Sequence, residues 1–398
     1  MALDFIPNDQ QDKALTKIRK WWQDGARKPF LFAGAAGTGK TTSARMGAEQ
    51  CDIPLEKISF MAPTGKAARV LAHKTKQPTS TIHSAIYSAN RTQVDDLRVA
   101  LTEEMKDPNA NEEAISALES EISELVNSSD GPTFRFKEAL LGQGVMLIDE
   151  ASMIGADVWK DLVKIQVPKI FIFDPFQLPP VKQKWGMEGM EPDVFLTQIM
   201  RQAEGSGVAK AAADIREGRT IRAYGDEFQV APKGLLTVKD YAENFDIVLT
   251  GTNDLRKRMN KLLRRYAGYP EEPVVGDKIV ALANDKATGI SNGEVFTITS
   301  INRSGKRVAN FDLVDAFGNR FRRIDAYLPV FKDEALSSGA PHHTVSFTYG
   351  YCLTVHKSQG SEYPRVAVID SWKGADHEKW LYTAVTRASE TCTLVTSS

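Results

Sequence analysis

The chain has 398 residues, 42% hydrophobic and 25% charged, with a net charge of −1. That is the composition of an ordinary soluble globular protein with room for two or three domains, and it excludes a disordered chain. No run approaches the roughly 18 apolar residues of a membrane span, and the opening "MALDFIPNDQQDKAL" lacks a basic segment followed by an apolar one. The expectation is an untargeted intracellular protein with no membrane partner.

In chain order, short apolar runs recur with helical stretches between them: "PFLFA", "ISFMA", "GVMLID" and "KIFIF", then "DIVLT", "RVAVID" and "TCTLV". Such alternation predicts parallel sheets covered by helices, and two groups of runs predict two α/β lobes. Two insertions interrupt the pattern. Residues 93–106 and 111–127 carry apolar residues at helical spacing (Val94, Leu97, Leu101, Met105; Ile115, Leu118, Ile122, Leu125) on either side of the turn-forming "DPNAN". They predict a helical hairpin with arms of about 20 Å. Between Val94 and Asn127 ten acidic residues face two basic ones, so the rest of the chain is net positive. The second insertion, about 276–330, alternates instead ("GEVFTITSI", "KRVANFDLV", "NRFRRIDAYLPV"), which fits a small β-barrel.

"GAAGTGKTT" follows the strand-like "PFLFA" and precedes the helix-compatible "TSARMGAEQ", satisfying GxxxxGK[ST] in its required context. Gly34, Gly37 and Gly39 let backbone amides converge on phosphate oxygens. Lys40 can reach the β and γ phosphates of ATP, Thr41 can hold Mg²⁺, and Thr38 and Thr42 belong to the same loop. "VMLIDEASM" then delivers Asp149, the expected Mg²⁺ partner, and Glu150, which can polarise an attacking water. A further candidate follows "KIFIF": Gln177, in the proline-rich run "FDPFQLPPV".

Other residues read as structural. Cys51, Cys352 and Cys392 lie far apart, and His342 and His343 lack partners at metal-ligand spacing. Trp21 and Trp22 read as core. The helix "NDLRKRMNKLLRRY" puts Leu255, Met259, Leu262 and Tyr266 on one face, with its cations on a solvated one.

In order and spacing, "NDQQDKA", "GAAGTGKTT", "APTGKAARV", "STIHSAIY", "LIDEASM", "DPFQLPPV", "IMRQAEGSG", "YCLTVHKSQGSEYP" and "LYTAVTRA" resemble the superfamily-1 DNA helicases of the RecD/Dda-like, 5′-to-3′ branch. The resemblance covers most of the chain except the two insertions. It implies two RecA-like P-loop lobes with ATP between them: lobe 1 over 1–85 and 128–190, the acidic hairpin over 86–127, lobe 2 over 191–272 and 343–398, and the barrel over 273–342. By family role Gln11 would read adenine, Glu362 would hold the ribose, Gln177 would contact the γ-phosphate or its water, and Arg201 and Arg387 would act as arginine fingers. Pro63, Thr64, Lys66, Thr81 and His83 would line a nucleic-acid track on lobe 1, with Thr354, His356, Lys357 and Gln359 on lobe 2.

The activity so implied is ATP-driven movement on single-stranded DNA and opening of forked duplex, by a monomer in the cytoplasm of a bacterial or phage-infected cell. A replication or recombination protein is the expected partner of the acidic hairpin. An RNA motor and a nucleotide-controlled interaction module with weak motor activity remain as alternatives. The chain departs from the family pattern at Phe173, where glycine is usual, and at Met200, where an aromatic is usual. It also carries the acidic hairpin where relatives have a β-hairpin wedge, so "GPTFRFK" at 131–137 or another loop would have to split the duplex.

Overall fold

The computed structural model describes residues 6–89, 93–106, 111–127, 134–136, 144–181, 183–199, 205–285, 287–303 and 305–396. The chain divides into two compact units, one of residues 1–86, 137–256 and 353–398, the other of residues 87–136 and 257–352.

The first unit holds two parallel sheets. One orders its strands Thr79–Thr81, Ile58–Ala62, Val145–Ile148, Lys169–Phe173, Phe30–Gly34 and Val194–Leu196. Its central strands are buried on both faces, which is why they read as unbroken apolar runs. Phe32 pairs with Ile172 on one side and Val194 on the other. That last pairing corrects the lobe boundary: the chain beyond 190 still completes the first sheet. Trp21 and Trp22 pack against this core, as expected. The other sheet orders Cys352–Thr354, Ile247–Thr250, Tyr363–Ile369, Ala388–Thr396 and Phe228–Pro232.

The second unit holds both insertions. Helices Gln93–Lys106 and Glu112–Asn127 form the hairpin, burying Leu101, Ile115 and Ile122 between them. A five-stranded antiparallel sheet runs Arg320–Tyr327, Val308–Asp315, Val295–Arg303, Lys278–Ala281 and Phe347–Tyr349. A bridge from Ala326 to Val345 draws its two ends toward each other around a core that includes Phe296, Phe311 and Phe347. This sheet therefore reaches past residue 342, the limit expected for it. Hairpin and sheet are joined by Arg307, which pairs with Glu119 at 2.6 Å and Glu112 at 2.8 Å, while the Tyr327 hydroxyl donates to Glu119.

Strands Tyr87–Ala89 and Phe134–Phe136 pair antiparallel at the base of the hairpin. The rest of the wedge candidate, 131–133 and 137, lies outside the described residues. The basic helix Asn253–Tyr266 is not solvated on all its cationic positions. Arg256 and Arg264 are buried with Met259 and Leu263, and Tyr266 is exposed. Arg264 is buried because Asp277 takes its guanidinium at 2.8 and 2.9 Å while the Tyr349 ring lies 3.7 Å from it. Among the described residues no helix is long and apolar enough to cross a membrane, and no three His, Cys, Asp or Glu gather at metal-binding distance.

Candidate active site

The strand Phe30–Gly34 ends in the loop that the helix Lys40–Glu49 continues. Gly39 precedes that helix with φ 73°, a left-handed backbone that glycine adopts without steric cost. A Cβ on Gly34 would lie 2.9 Å from both Lys40 Cγ and Thr38 Oγ1, so only glycine lets the loop fold back this tightly. Thr38 is fully buried, its hydroxyl donating to Ala35 O at 2.8 Å. Behind it, Gln11 donates from Nε2 to Thr38 O at 2.9 Å and accepts at Oε1 from Asn8 N, closing a capping box on the helix Asp9–Gln23. Gln11 thus braces the loop from behind, with both ends of its amide held by backbone groups.

In front of the loop lies a cavity of about 560 Å³. Gly37, Thr38, Gly39, Lys40, Thr41, Thr42, Asp149, Glu150, Gln177, Glu362 and Arg387 all reach its wall, so most of the predicted site converges on one space. Arg201 lies outside the described residues. Lys40 donates to Ala35 O at 2.8 Å and lies 3.9 Å from Asp174 Oδ2. Thr41 Oγ1 donates to Asp149 Oδ2 at 2.8 Å, bringing together the two side chains expected to share a divalent cation. Oxygen donors at this spacing on a phosphate loop suit Mg²⁺.

Glu150 follows with φ 52°, and its amide donates to Asp149 Oδ1. It keeps some solvent contact at the cavity wall, yet protein crowds it closely enough that burial pushes its carboxyl above the ordinary value, against the pull of Arg387. Arg387 is buried and held at three points: Nε on Thr383 O at 3.0 Å, Nη1 on Ser361 O at 3.1 Å and Nη2 on Thr386 Oγ1 at 3.3 Å. Glu362 sits at the rim in an exposed pair with Lys74 at 3.3 Å.

The glutamine loop leaves the sheet at Phe173, which keeps its strand pairing with Ala33 and packs edge-on to Trp185. No glycine is needed there, because the turn is made one residue later. Asp174 accepts from Phe176 N at Oδ1, and its backbone carbonyl accepts from Gln177 N. Gln177 is 6% exposed, and its Oε1 has no hydrogen-bond partner among the described residues. A buried amide oxygen of this kind on a phosphate cavity is suited to a ligand's donor or a water.

Three residues of this network had no role in the sequence reading: Asp174, Tyr382 and Thr383. The Tyr382 hydroxyl donates to Asp174 Oδ2 at 2.8 Å and accepts from Ala36 N at 2.9 Å. Burial pushes its phenol far above the ordinary value, so it stays a donor. Thr383 Oγ1 accepts from Leu178 N at 2.9 Å. Asp174 follows a strand as Asp149 does, a signal that could have marked it; the contacts of Tyr382 and Thr383 join positions far apart in sequence.

The track residues divide. Thr64 caps the helix Gly65–Thr75 and Thr354 caps Val355–Ser358, each accepting an amide three residues on, so both lobes present the same device. Thr81 accepts from Ser84 N in the same manner, His83 is exposed, and Pro63 and Lys357 are partly exposed. The His356 ring lies 5.2 Å from that of Trp372, and burial lowers its pKa, leaving it neutral at pH 7. Lys66 and Gln359 depart from the expectation. Lys66 is buried and donates to the Tyr363 hydroxyl at 3.1 Å, and Gln359 is buried with Nε2 on Leu178 O at 3.1 Å. Both side chains turn into the protein, where each donates to a polar partner.

Comparison with known proteins agrees with this geometry. Residues 8–230 match the family model of an AAA domain, and residues 349–395 match that of a UvrD-like helicase C-terminal domain. The chain is 24% identical over 390 residues to the ATP-dependent RecD2 DNA helicase of Deinococcus radiodurans, covering 90% of itself and 46% of that protein. It spans about half the length of that relative. Its fold is similar to that of the Pif1 helicase of Candida albicans (TM-score 0.55, 17% identity, 98% of this chain and 94% of that one). It is likewise similar to a Bacteroides Pif1 helicase in complex with ADP-AlF3 and ssDNA (TM-score 0.56, 18% identity, 99% and 93%). The AAA domain model covers more than half of the chain, so the chain belongs to that family, with a UvrD-like helicase C-terminal domain following it.

Proposed function

We propose that this chain is an ATP-driven motor on single-stranded DNA that moves 5′ to 3′ and opens forked duplex. The observation that carries the reading is the gathering of Lys40, Thr41 with Asp149, Glu150, Gln177 and Arg387 on one cavity. Transfer of a phosphoryl group to water needs that set, because its catalysis is mostly positioning and charge neutralisation. The names of the relatives support it: one is an ATP-dependent DNA helicase, one was studied with ADP-AlF3 and ssDNA, and another for unwinding at forked dsDNA.

In this mechanism Lys40 leaves Ala35 O and Asp174 for the phosphate oxygens of ATP. Thr41 and Asp149 would hold Mg²⁺, which supplies charge neutralisation at those oxygens. Glu150 takes the proton of the attacking water, a task that its raised pKa favours. Gln177 offers Oε1 to that water, and Arg387, already fixed by its three contacts, faces the charge that develops. Glu362 at the rim binds the ribose. Cycles of closing and release between the lobes then move the strand along Thr64, Thr81, His83, Thr354, His356 and Lys357. Arg201, monomeric action in the cytoplasm, and recruitment of a replication or recombination protein at the acidic hairpin complete the reading.

The test is a strand-polarity assay run beside oligonucleotide-stimulated ATPase. A fork with a 5′ single-stranded tail should open faster than one with a 3′ tail, and DNA should stimulate hydrolysis more than RNA. Equal or reversed rates would end the polarity assignment. Stronger stimulation by RNA would reassign the substrate.

A further inference from the structure

The buried Gln177 amide raises the question of what holds it with Oε1 unpaired. Its own backbone gives part of the answer, since Gln177 N donates to Asp174 O. Pro175, Pro179 and Pro180 fix φ at their own positions on either side of it, which narrows the loop's freedom to bend. The other restraint comes from outside the loop. Both polar groups of Leu178, the next residue, are held by side chains of the second lobe: its N–H by Thr383 Oγ1 at 2.9 Å, its C=O by Gln359 Nε2 at 3.1 Å. Leu178 and Thr383 are essentially inaccessible and Gln359 is 5% exposed, so water does not compete for these bonds.

Thr383 stands at a junction. Its carbonyl accepts from Arg387 Nε at 3.0 Å, so one residue holds the arginine through its backbone and the glutamine loop through its hydroxyl. The preceding residue, Tyr382, bonds the P-loop at Ala36 and the start of the glutamine loop at Asp174. Consecutive residues of the helix His377–Val385 therefore reach the P-loop and both ends of the glutamine loop.

We propose that Thr383 is a positioning residue. With Gln359, it clamps the Leu178 backbone and so sets Gln177 and Arg387 in register with each other when the second lobe is docked. Gln359 lies in the "KSQG" segment with Lys357, so on the motor reading the clamp would also link the proposed strand track to Gln177. The inference rests on the motor reading above for that last step, while the clamp itself stands on the contacts.

Thr383→Val keeps the shape and removes the acceptor; Thr383→Ser keeps the hydroxyl. Two readouts apply, amide hydrogen exchange of the peptide containing Leu178 and steady-state ATP hydrolysis with and without oligo-dT. In T383V the exchange should accelerate and the strand-stimulated kcat should fall, each by about tenfold or more, with KM for ATP changed less than about twofold. T383S should recover both to within about twofold. Wild-type exchange and kcat in T383V would overturn the clamp, and so would a T383S as impaired as T383V, which would mark a packing effect. Should T383V not fold, Gln359→Leu removes the other half of the clamp and is judged by the same exchange. A wild-type protein without strand stimulation would end the motor reading, and Leu178 exchange would still decide the clamp.

Discussion

At Glu150 stability and chemistry pull against each other. A non-glycine residue at φ 52° is held against a backbone cost of roughly 1–3 kcal/mol, and its carboxylate is placed where burial disfavours charge. Both costs fall on the group proposed as the base. Glu150→Gln keeps size and hydrogen bonding, so ATP binding should persist while hydrolysis falls by roughly 10²- to 10⁴-fold; normal turnover would rule out the assignment. The pH dependence follows from the direction of the shift. The base works only when deprotonated, and burial raises its pKa, so hydrolysis should be lost on acidification at a pH above the ordinary glutamate value of about 4.3. Arg387 opposes that rise, so the residual activity of Arg387→Ala should fail at a still higher pH. A kcat profile recorded from acid to neutral pH checks both, and an acid limb that Arg387→Ala leaves unmoved would contradict the pairing.

At the level of elements, the two insertions are tied by a side chain whose partners lie on a predicted helix, 188 and 195 positions away. Arg307 bonds Glu119 and Glu112, and although burial opposes its charge, Glu119 and the Tyr327 hydroxyl outweigh that cost, so its pKa rises. Arg307→Ala would leave the half-buried Glu119 with only the Tyr327 hydroxyl, at an expected cost of about 1–3 kcal/mol. The urea midpoint should fall and protease should cut the hairpin sooner; an unchanged midpoint would mean the pair contributes little. The hairpin was legible in the sequence because helical periodicity is local, and all seven apolar runs became strands for the same reason. Phe228–Pro232, a five-residue strand, carried no apolar run to mark it, and most of the rest that the sequence hid was short or distant. Thr79–Thr81, Val194–Leu196 and Cys352–Thr354 are three-residue strands, too brief for a periodic signal. The P-loop and Glu150 could be placed from their motifs, but the inward turns of Lys66 and Gln359 depend on Tyr363 and Leu178, whose proximity only the fold creates.

For the whole molecule, a net charge of −1 has to be reconciled with a polyanionic track. The proposed track is mostly neutral: Pro63, Thr64, Thr81 and Thr354 carry no charge, His356 is held neutral by burial, and Lys66 is turned inward on Tyr363. Lys357, on the short helix Val355–Ser358, is partly exposed. Grip on the strand should then come from hydroxyls and helix-cap geometry more than from released counterions. Each neutralised phosphate of a single strand contributes a slope of about −0.7 to log K against log salt, so one or two contacts give a slope on the order of −1. Lys357→Ala should flatten it by about 0.7, while Thr64→Ala should weaken binding without changing it. Fluorescence anisotropy of oligo-dT from low to physiological salt measures all three. A slope steeper than about −3 would place several further cations on the strand and move the track away from these residues.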